Sequence, residues 1–550
     1  MGTPEDLTED QRLMAEGVRT FMDREVLPCS EELESGDTGV LLELFQKASE
    51  LGLPGIEIPE RLGGLGLDLT TAMLASAEVS RQASFSTSIG AHFGIGTLPL
   101  VLFGTEELKS RYLPELARAE RIGAYALTES EAGSDALGVR SRAVRQADGD
   151  WLLDGEKQLI TNGGIAGLYT VFAKVDGEAF TAFLVPAERP GVVAGPPEKK
   201  MGLKGSPTAS LRLDSVRVPA DHVLGEVGAG HRVAFNILNI GRMKLGFGSL
   251  AYGREALRLA ASYAAERRQF GKPICEFQVI RTKLAEMAAR LFSLEGAAFR
   301  TARSMDDELP AGLGDSPIQE AVRVLKAHAV EGAAVKVLGS ETVGFVADEA
   351  LQVHGGYGFI EDYPVCRIYR DVRINRLFEG TSEINRLLIA GSLFKRGPFD
   401  PFFRQLRKRG KVPGPAGEPG AEALCEGLRW LIGRFAGAAM KLRRKLETEQ
   451  VVLSDLADLI IDLYALDTAC ARRAGSRQSG DGARSAALVE AQLELVAEAT
   501  RARAIERTLR LATRLRVEPA HRLVAPLAAG TKDTRQAVDR VAASVLEGRL

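Results

Sequence analysis

The chain lacks an excess of charge of either sign, a cysteine framework and a dinucleotide fingerprint. Its 550 residues carry 70 Lys and Arg against 73 Asp and Glu, so no global field would draw it to nucleic acid. The five cysteines stand far apart, with neither disulfide pairing nor the CxxC spacing of a zinc or iron-sulfur site. GGLGLD and GEVGAGHRV both miss the last glycine of GxGxxG. These absences argue against a secreted disulfide module and a Rossmann enzyme, and they predict a reducing compartment without a structural metal.

The amino terminus and one uncharged stretch bear on where the protein works. MGTPEDLTED is acidic and has neither an apolar h-region nor an Arg-rich amphipathic pattern, which predicts a cytoplasmic location. Residues 82–105 contain no Asp, Glu, Lys or Arg, but His92, Pro99 and four glycines make the stretch a poor helix for lipid. We expect it to line an internal cavity instead.

The spacing of apolar residues divides the chain into five segments. Helical spacing over 1–123 changes to the alternation of strands over 124–234, and helical spacing resumes over 235–395. Pro, Gly and basic residues predict a linker over 396–420, and strong helical periodicity returns over 421–550. The predicted fold class is α+β and mostly α: an N-terminal helical domain, a middle β-barrel-like domain, a helical bundle and a C-terminal helical domain.

Two segments in and near the predicted sheet have chemical character. In AYALTESEAGSD, residues 124–135, small residues would let the backbone approach a flat ring. Thr128, Gly133 and Ser134 could offer short, rigid hydrogen bonds to a flavin or a phosphate. KQLITNGG ends the strand-like alternation of GDWLLDGEKQLIT. The alternatives are a hydroxyl-rich loop and a plain core strand.

Two later segments offer a cationic group and a glycine turn. ERRQFGKPICEFQ contains Arg267, whose planar, forked donors suit a diphosphate. QVHGGYGF, residues 352–359, contains a Gly-Gly turn. A solvated helix face is the alternative interpretation of the first of these segments.

The fourth segment, RDVRINRLFEGTSEINRLL, contains the candidate catalytic base. A helix should begin after Thr381, with Glu383 in its first turn and its amide end free to face a cofactor. Glu379 precedes that helix on a turn that Gly380 makes possible. A carboxylate that acts as a general base needs a dry, apolar pocket to raise its pKa and fixed donors for the charge that develops on its substrate. A carboxylate beside Phe378 fits that requirement.

In their order and amino-acid sequence, these segments resemble motifs of the acyl-CoA dehydrogenase family, and the resemblance covers about the first 395 residues. The resemblance implies FAD as cofactor, an acyl-CoA substrate and Glu379 as the base that removes the α-proton. It implies cofactor contacts at Tyr125, Leu127, Thr128, Gly133, Ser134, Leu159, Ile160, Thr161, Arg267, Gln269, Phe270, Gln278, Gln352, Gly355, Gly356, Thr381 and Glu383. It implies substrate contacts at Ser134, Asn239, Arg242, Phe378 and Gly380.

The family pattern also implies features beyond these positions. Arg267, Gln269, Phe270 and Gln278 would reach the flavin of a neighbouring subunit, which implies a homodimer. Leu159 stands where the family usually has an aromatic residue, so hydrophobic cover would replace stacking. Some members carry the base on an earlier helix, but Gly241 occupies that position here.

The region after the linker resembles the very-long-chain branch and its relative in respiratory complex I assembly. This implies long acyl chains and a homodimer in which the extra helices replace a second dimer. In the same comparison, Gly94 and Gly96 would either deepen the acyl pocket or ease helix packing. Residues 396–412, with Phe402, Phe403 and a run of Arg and Lys, are similar to a membrane-associating segment. They predict peripheral contact with the inner face of the membrane; a solvated linker is the alternative.

Three functions remain open from the sequence. The leading one is oxidation of a fatty acyl-CoA to the trans-2-enoyl-CoA in β-oxidation, with electrons passed to electron-transferring flavoprotein. An acyl-CoA oxidase would return those electrons to oxygen. An assembly or scaffold protein would keep the fold with little chemistry, although an intact Glu379 and TESEAGSD favour an enzyme.

Overall fold

The computed structural model describes residues 4–395, 420–478, 483–517, 520–528 and 530–549. The predicted linker before Gly420, and with it the membrane hypothesis for 396–412, lies outside the described residues. The chain forms two compact units. The amino-terminal unit comprises Thr8–Lys244 and Met305–Lys326, and the carboxy-terminal unit comprises Met1–Leu7, Leu245–Ser304 and Ala327–Leu550.

Seven α-helices open the amino-terminal unit, and side-chain caps fix where several of them begin. They are α1 (Glu9–Phe21), α2 (Ser30–Glu34), α3 (Thr38–Glu50), α4 (Leu69–Val79), α5 (Ala83–Ala91), α6 (Leu98–Phe103) and α7 (Glu106–Ala117). At α1, Thr8 and Gln11 form a reciprocal capping box. Asp37, Asp68 and Thr105 cap α3, α4 and α7. The helices bury a shared core that includes Phe45.

The uncharged stretch is a core element of this unit. Ala83–Phe103 is long and apolar enough to cross a membrane by composition, but 72% of its most apolar window is buried inside the protein. A π-helix, His92–Gly96, joins α5 to α6. A Cβ built on Gly96 would lie 2.6 Å from the carbonyl carbon of Gly123. Gly96 therefore serves close packing against the first strand, one of the two roles predicted for it.

The middle of the chain forms one eight-stranded sheet. Its strands are β1 (Gly123–Ala126), β2 (Arg142–Arg145), β3 (Trp151–Thr161), β4 (Leu168–Val175), β5 (Ala179–Pro186), β6 (Val192–Ala194), β7 (Thr208–Val218) and β8 (Val223–Leu224). The order is β6-β7-β3-β2-β4-β5-β8, with β1 pairing parallel to β4. β4 and β5 are buried along nearly their whole length, whereas β2 is mostly exposed and β7 mixes buried and exposed residues.

Helices make up most of the rest of the described chain. They are α8 (Gly230–Glu266), α9 (Gln278–Glu308), α10 (Gly312–Asp315), α11 (Ile318–Ala327), α12 (Ala329–His354), α13 (Pro364–Val372), α14 (Ser382–Lys395), α15 (Ala421–Ala439), α16 (Gln450–Gln478), α17 (Ala483–Leu515), α18 (Ala520–Ala528) and α19 (Arg535–Leu546). A short hairpin, β9 (Arg268–Gln269) and β10 (Lys272–Pro273), separates α8 from α9. The predicted order of helices, sheet and helices is confirmed.

Small residues and a few polar contacts set how the carboxy-terminal helices pack. A Cβ on Gly339 of α12 would lie 3.2 Å from the Cα of Gly246 in α8, so the two helices approach closely. Between the bundle and the later helices, the hydroxyls of Thr301 and Tyr464 lie 2.7 Å apart. Arg472 donates to Glu295 at 2.9 Å in the same region.

Candidate active site

In the amino-terminal unit, the TESEAGSD segment leaves the end of β1 and becomes exposed. Gly133 and Ser134 are exposed and Thr128 is half-buried. Tyr125 and Leu127 are buried, and the Tyr125 ring packs edge-on against Phe172 with centroids 5.0 Å apart. The exposed positions include Ser130, Gly133 and Ser134, whose hydroxyls and open backbone suit hydrogen bonding to a ligand.

A buried ion pair that sequence reasoning missed anchors this segment. The ammonium of Lys157, which is 0% exposed, donates to Glu129 at 2.6 Å and to the carbonyls of Leu127 and Phe172 at 3.3 and 2.6 Å. Burial lowers the pKa of Lys157 to about 8, against the opposing pull of Glu129. For Glu129, burial opposes ionisation, but donors from Arg140, Lys157 and Ser141 outweigh it and lower its pKa. The buried Lys157–Glu129 pair thus fixes the TESEAGSD segment to β3.

Leu159 lies where β3 departs from regular pairing. The register with β7 shifts between Lys157 and Ile160, and Leu159 adopts a left-handed φ of 57°. Its side chain is 63% exposed, while Ile160 is buried and Thr161 half-buried. An exposed leucine in a backbone conformation that disfavours side chains indicates that a ligand or another chain covers this surface.

On α8, Asn239 and Arg242 form one buried polar unit. Arg242 is 5% exposed and donates to the Asn239 side-chain oxygen at 2.7 Å. The amide of Asn239 donates to the Leu325 carbonyl at 3.2 Å. Asn239 therefore orients Arg242, and its predicted contact with substrate stays a prediction. Gly241 lies between them without a titratable group.

Gly94 has a different neighbour from Gly96. A Cβ on Gly94 would lie 3.5 Å from the ammonium of Lys244, which sits 4.1 Å from the Phe93 ring centroid. Lys244 is paired with Glu57, whose side chain is 1% exposed. A buried ion pair thus lies beside Gly94, one of the two glycines predicted to deepen the acyl pocket.

In the carboxy-terminal unit, the hairpin after α8 presents an exposed aromatic ring. Phe270 and Gly271 form its turn with φ of 50° and 82°, and Phe270 is 94% exposed. Val279 and Phe359 are 68% and 83% exposed in the same unit. Gln278 is exposed at the start of α9. Such apolar exposure indicates a surface that another molecule covers.

A cavity of about 510 Å³ brings Arg267 and Gln269 together with the Gly-Gly turn. Gly355 adopts φ 60° and ψ -139°, which only glycine tolerates well, and a Cβ on Gly355 or Gly356 would meet no atom within 4 Å. The glycines leave the backbone open to a ligand. Gln352 is exposed one helical turn earlier and does not line the cavity.

Glu379 lies in a turn that the next helix holds. It has φ 57° and Gly380 has φ 80°. The buried Asn385 side chain donates to the carbonyls of Glu379, Gly380 and Thr381 at 3.4, 2.7 and 3.0 Å. The Thr381 hydroxyl accepts the Ile384 amide at 3.2 Å, so α14 begins as predicted.

The start of α14 is suited to an anion or an electron-rich ring. The pKa of Glu383 is lowered, first by its own backbone amide and then by the Thr381 hydroxyl. Phe378, Glu379 and Gly380 are half-buried. A half-buried carboxylate on a fixed backbone can accept a proton from a substrate at a defined position.

These features fit FAD. Open backbone at the two glycines and the guanidinium of Arg267 suit a diphosphate. The half-buried Thr128 hydroxyl and the exposed Ser134 hydroxyl suit a polar ring edge, and the exposed Leu159 suits an apolar ring face.

Comparison with known proteins gives concordant results. The chain matches models of the acyl-CoA dehydrogenase N-terminal domain over 8–120, middle domain over 124–216 and C-terminal domain over 228–394. It is 42% identical to a probable acyl-CoA dehydrogenase of Bacillus subtilis over 86% of this chain and 82% of that one. It is 36% identical to the Bos taurus mitochondrial very long-chain specific acyl-CoA dehydrogenase over 79% and 70%. The crystal structure of a Bacillus anthracis acyl-CoA dehydrogenase complexed with FAD superposes with a TM-score of 0.91 at 37% identity, covering 100% and 96%.

Proposed function

The chain belongs to the acyl-CoA dehydrogenase family and is a flavin-dependent oxidoreductase, and from this premise we propose that it desaturates long-chain fatty acyl-CoA in β-oxidation. The product is the trans-2-enoyl-CoA, and the electrons pass to electron-transferring flavoprotein. One observation carries the catalytic part of the proposal. It is the fixed, half-buried carboxylate of Glu379 on the turn clamped by Asn385.

In this proposal the residues divide the work between binding and proton transfer. The Glu379 carboxylate takes the α-proton of the thioester, and Asn385 keeps its backbone in place. Arg242, oriented by Asn239, helps to position the substrate. Arg267, Gly355 and Gly356 would reach the diphosphate and adenine end of the FAD bound to the neighbouring subunit. Thr128, Ser134 and Leu159 would meet the ring system of the FAD bound to their own subunit. When bound, FAD supplies the acceptor for the hydride from the β-carbon, so that the two hydrogens leave as a proton and a hydride.

The long-chain part of the proposal is supported by similarity to the very long-chain specific enzyme. Helices α15 to α19 extend the chain beyond the region that the family models match. The Lys244–Glu57 pair beside Gly94 would limit the acyl-chain length, because contact between a charged pair and the terminal methyl group of the chain is unfavourable. The chain-length preference therefore tests whether that pair borders the acyl chain.

The exposed apolar side chains of Phe270, Val279 and Phe359 support a homodimer that covers them. A partner copy that covers them would also bring the hairpin to the neighbouring cofactor. Size-exclusion chromatography with light scattering should then give twice the chain mass. A monomer that retains full flavin content would contradict this part of the proposal.

The function is tested by anaerobic bleaching of the bound flavin with an acyl-CoA series from butyryl to stearoyl. We expect the fastest reduction with long chains, formation of the trans-2-enoyl thioester, and reoxidation by electron-transferring flavoprotein. If no thioester bleaches the flavin, the dehydrogenase proposal fails. Fast reoxidation by air with release of peroxide would identify an oxidase instead.

A further inference from the structure

A second cavity of the carboxy-terminal unit is separate from the one around Arg267. Its volume is about 500 Å³ and the two share no lining residue. Helices α9, α12 and α14 form one side, and α16, α17 and α19 form the other. This volume lies within the range of about 300–1,000 Å³ typical of small-molecule sites.

The wall of this cavity is mixed in character. Its apolar part includes Val337, Ile461, Leu495, Val496 and Val538. Its arginines are Arg290, Arg386, Arg503 and Arg507. Apolar side chains beside charged ones favour a ligand that has both an apolar body and a charged end.

Three of these arginines are neutralised within the wall. Arg386 donates to Asp458 at 2.8 Å, and Arg503 donates to Asp462 at 2.8 Å. Arg507 pairs with Asp462 and lies 3.5 Å from Asp458. Because each of these three arginines is already paired with an aspartate, it would attract an incoming anion only weakly.

Arg290 differs from the other three. Its guanidinium carbon lies 3.8 Å from the centroid of the Phe345 ring. Among the described residues, no hydrogen bond or ion pair involves it. Burial lowers its pKa, and the positive charge of Arg503 lowers it further. The carboxylates of Glu286, Asp462 and Glu341 oppose this shift. None of them forms an ion pair or hydrogen bond with the guanidinium, so an anionic ligand would gain a direct pair here.

The carboxylates of the wall limit the charge of that ligand. They are Glu286, Glu341, Asp458, Asp462 and Glu498, five against the four arginines. A dianion would meet more repulsion than attraction, whereas a single negative charge can pair with Arg290 alone. The apolar body can then lie against Val337, Ile461 and Val538.

We propose that this cavity binds an amphipathic monoanion, a carboxylate with an apolar tail, whose charged end pairs with Arg290. Because the wall comes from both the bundle and the later helices, an occupied cavity would join the two more firmly. The ligand should therefore raise the midpoint of thermal unfolding as well as bind.

The test uses isothermal titration of the FAD-loaded protein with sodium octanoate, octyl phosphate and octan-1-ol. Octanoate should bind most tightly, with the phosphate and the alcohol at least about tenfold weaker. Arg290→Gln should weaken octanoate about tenfold and remove its effect on the unfolding midpoint. Arg258→Gln, a surface arginine paired with Glu255, is the matched control and should bind like the native protein. Octanoate that enters the acyl-CoA site would be insensitive to Arg290 and is thus distinguished.

A second variant keeps the proposal testable if Arg290→Gln does not fold. Val538→Trp fills the apolar end and leaves Arg290 in place, so it should abolish octanoate binding. Arg290→Lys should retain part of the affinity. Octanoate binding that is unchanged in Arg290→Gln or in Val538→Trp, or octan-1-ol binding equal to octanoate, would overturn the proposal.

Discussion

Leu159 and Glu379 have the same left-handed φ of 57° but are held in different ways. Leu159 lies at a shift in strand register, two residues after Lys157 of the buried Lys157–Glu129 pair. Glu379 lies before a helix, and Asn385 binds the carbonyls around it. A charge pair thus lies next to the first turn in sequence, and a set of neutral hydrogen bonds binds the second. The comparison teaches that the same strained backbone conformation can stand beside a contact between residues far apart in sequence or within a local cap.

The largest expected difference follows from removal of the charge pair. Lys157→Met leaves Glu129 as an uncompensated buried carboxylate, which should cost about 3–5 kcal/mol in the free energy of unfolding. Chemical denaturation measures this loss. The double variant Lys157→Met/Glu129→Gln should recover part of it. Equal stability of the two variants would show that the unpaired Glu129 carboxylate does not cause the loss.

Acid should also weaken the amino-terminal unit through His92. The buried ring accepts the Gly123 amide at 2.9 Å and lies 3.0 Å from the Leu116 carbonyl, and burial lowers its pKa from 6.5 to about 4. Because the folded pKa is depressed, stability is present above pH 6.5 and is lost as the pH falls toward 4. At pH 4.5 the loss should be about 2.5 kcal/mol.

Urea unfolding at pH 7 and pH 4.5 measures this loss. His92→Gln should reduce the difference between the two pH values. The exposed His231→Gln should leave it unchanged. An identical pH dependence in His92→Gln and native protein would contradict the assignment.

The local cap should give a smaller loss of stability with a clear effect on rate. Asn385→Ala removes donors to three carbonyls, so the free energy of unfolding should fall by about 2 kcal/mol. Flavin reduction should slow by about tenfold or more, because Glu379 loses its fixed position. Asn375→Ala, which instead loses a bond to Ser249, is the matched control. A reduction rate that falls equally in both variants would indicate general loosening.

The smallest effect concerns the turn at Leu159 itself. A β-branched side chain is disfavoured at positive φ, so Leu159→Val should cost about 1 kcal/mol. Leu159→Gly should change stability by less than about 0.5 kcal/mol, since relief of strain offsets added chain entropy. Denaturation of both variants checks this, with Leu152→Val in the regular part of β3 as control. A lower flavin affinity in the glycine variant would support the predicted cover of the ring.

The sequence predicted the order of secondary structure and the position of Glu379 better than the tertiary contacts around Leu159 and Lys157. Periodicity was sufficient for the order of helices and sheet, and the FEGTSEI motif placed Glu379 and the start of α14 where they lie. Alternation along β3 did not predict that Leu159 would turn outward, because a register shift depends on pairing with β7. Lys157 and Glu129 are 28 positions apart, so no local pattern joins them. The Arg290 cavity is likewise assembled from helices distant in sequence.

The central claim, that Glu379 removes the α-proton, is tested most directly by the rate of anaerobic flavin reduction with stearoyl-CoA in Glu379→Gln. Glutamine keeps the size of the side chain but cannot take the proton. With flavin content and acyl-CoA binding retained, we expect the rate to fall by at least about a thousandfold, while Glu255→Gln reduces like the native protein. A native rate in Glu379→Gln would contradict the account.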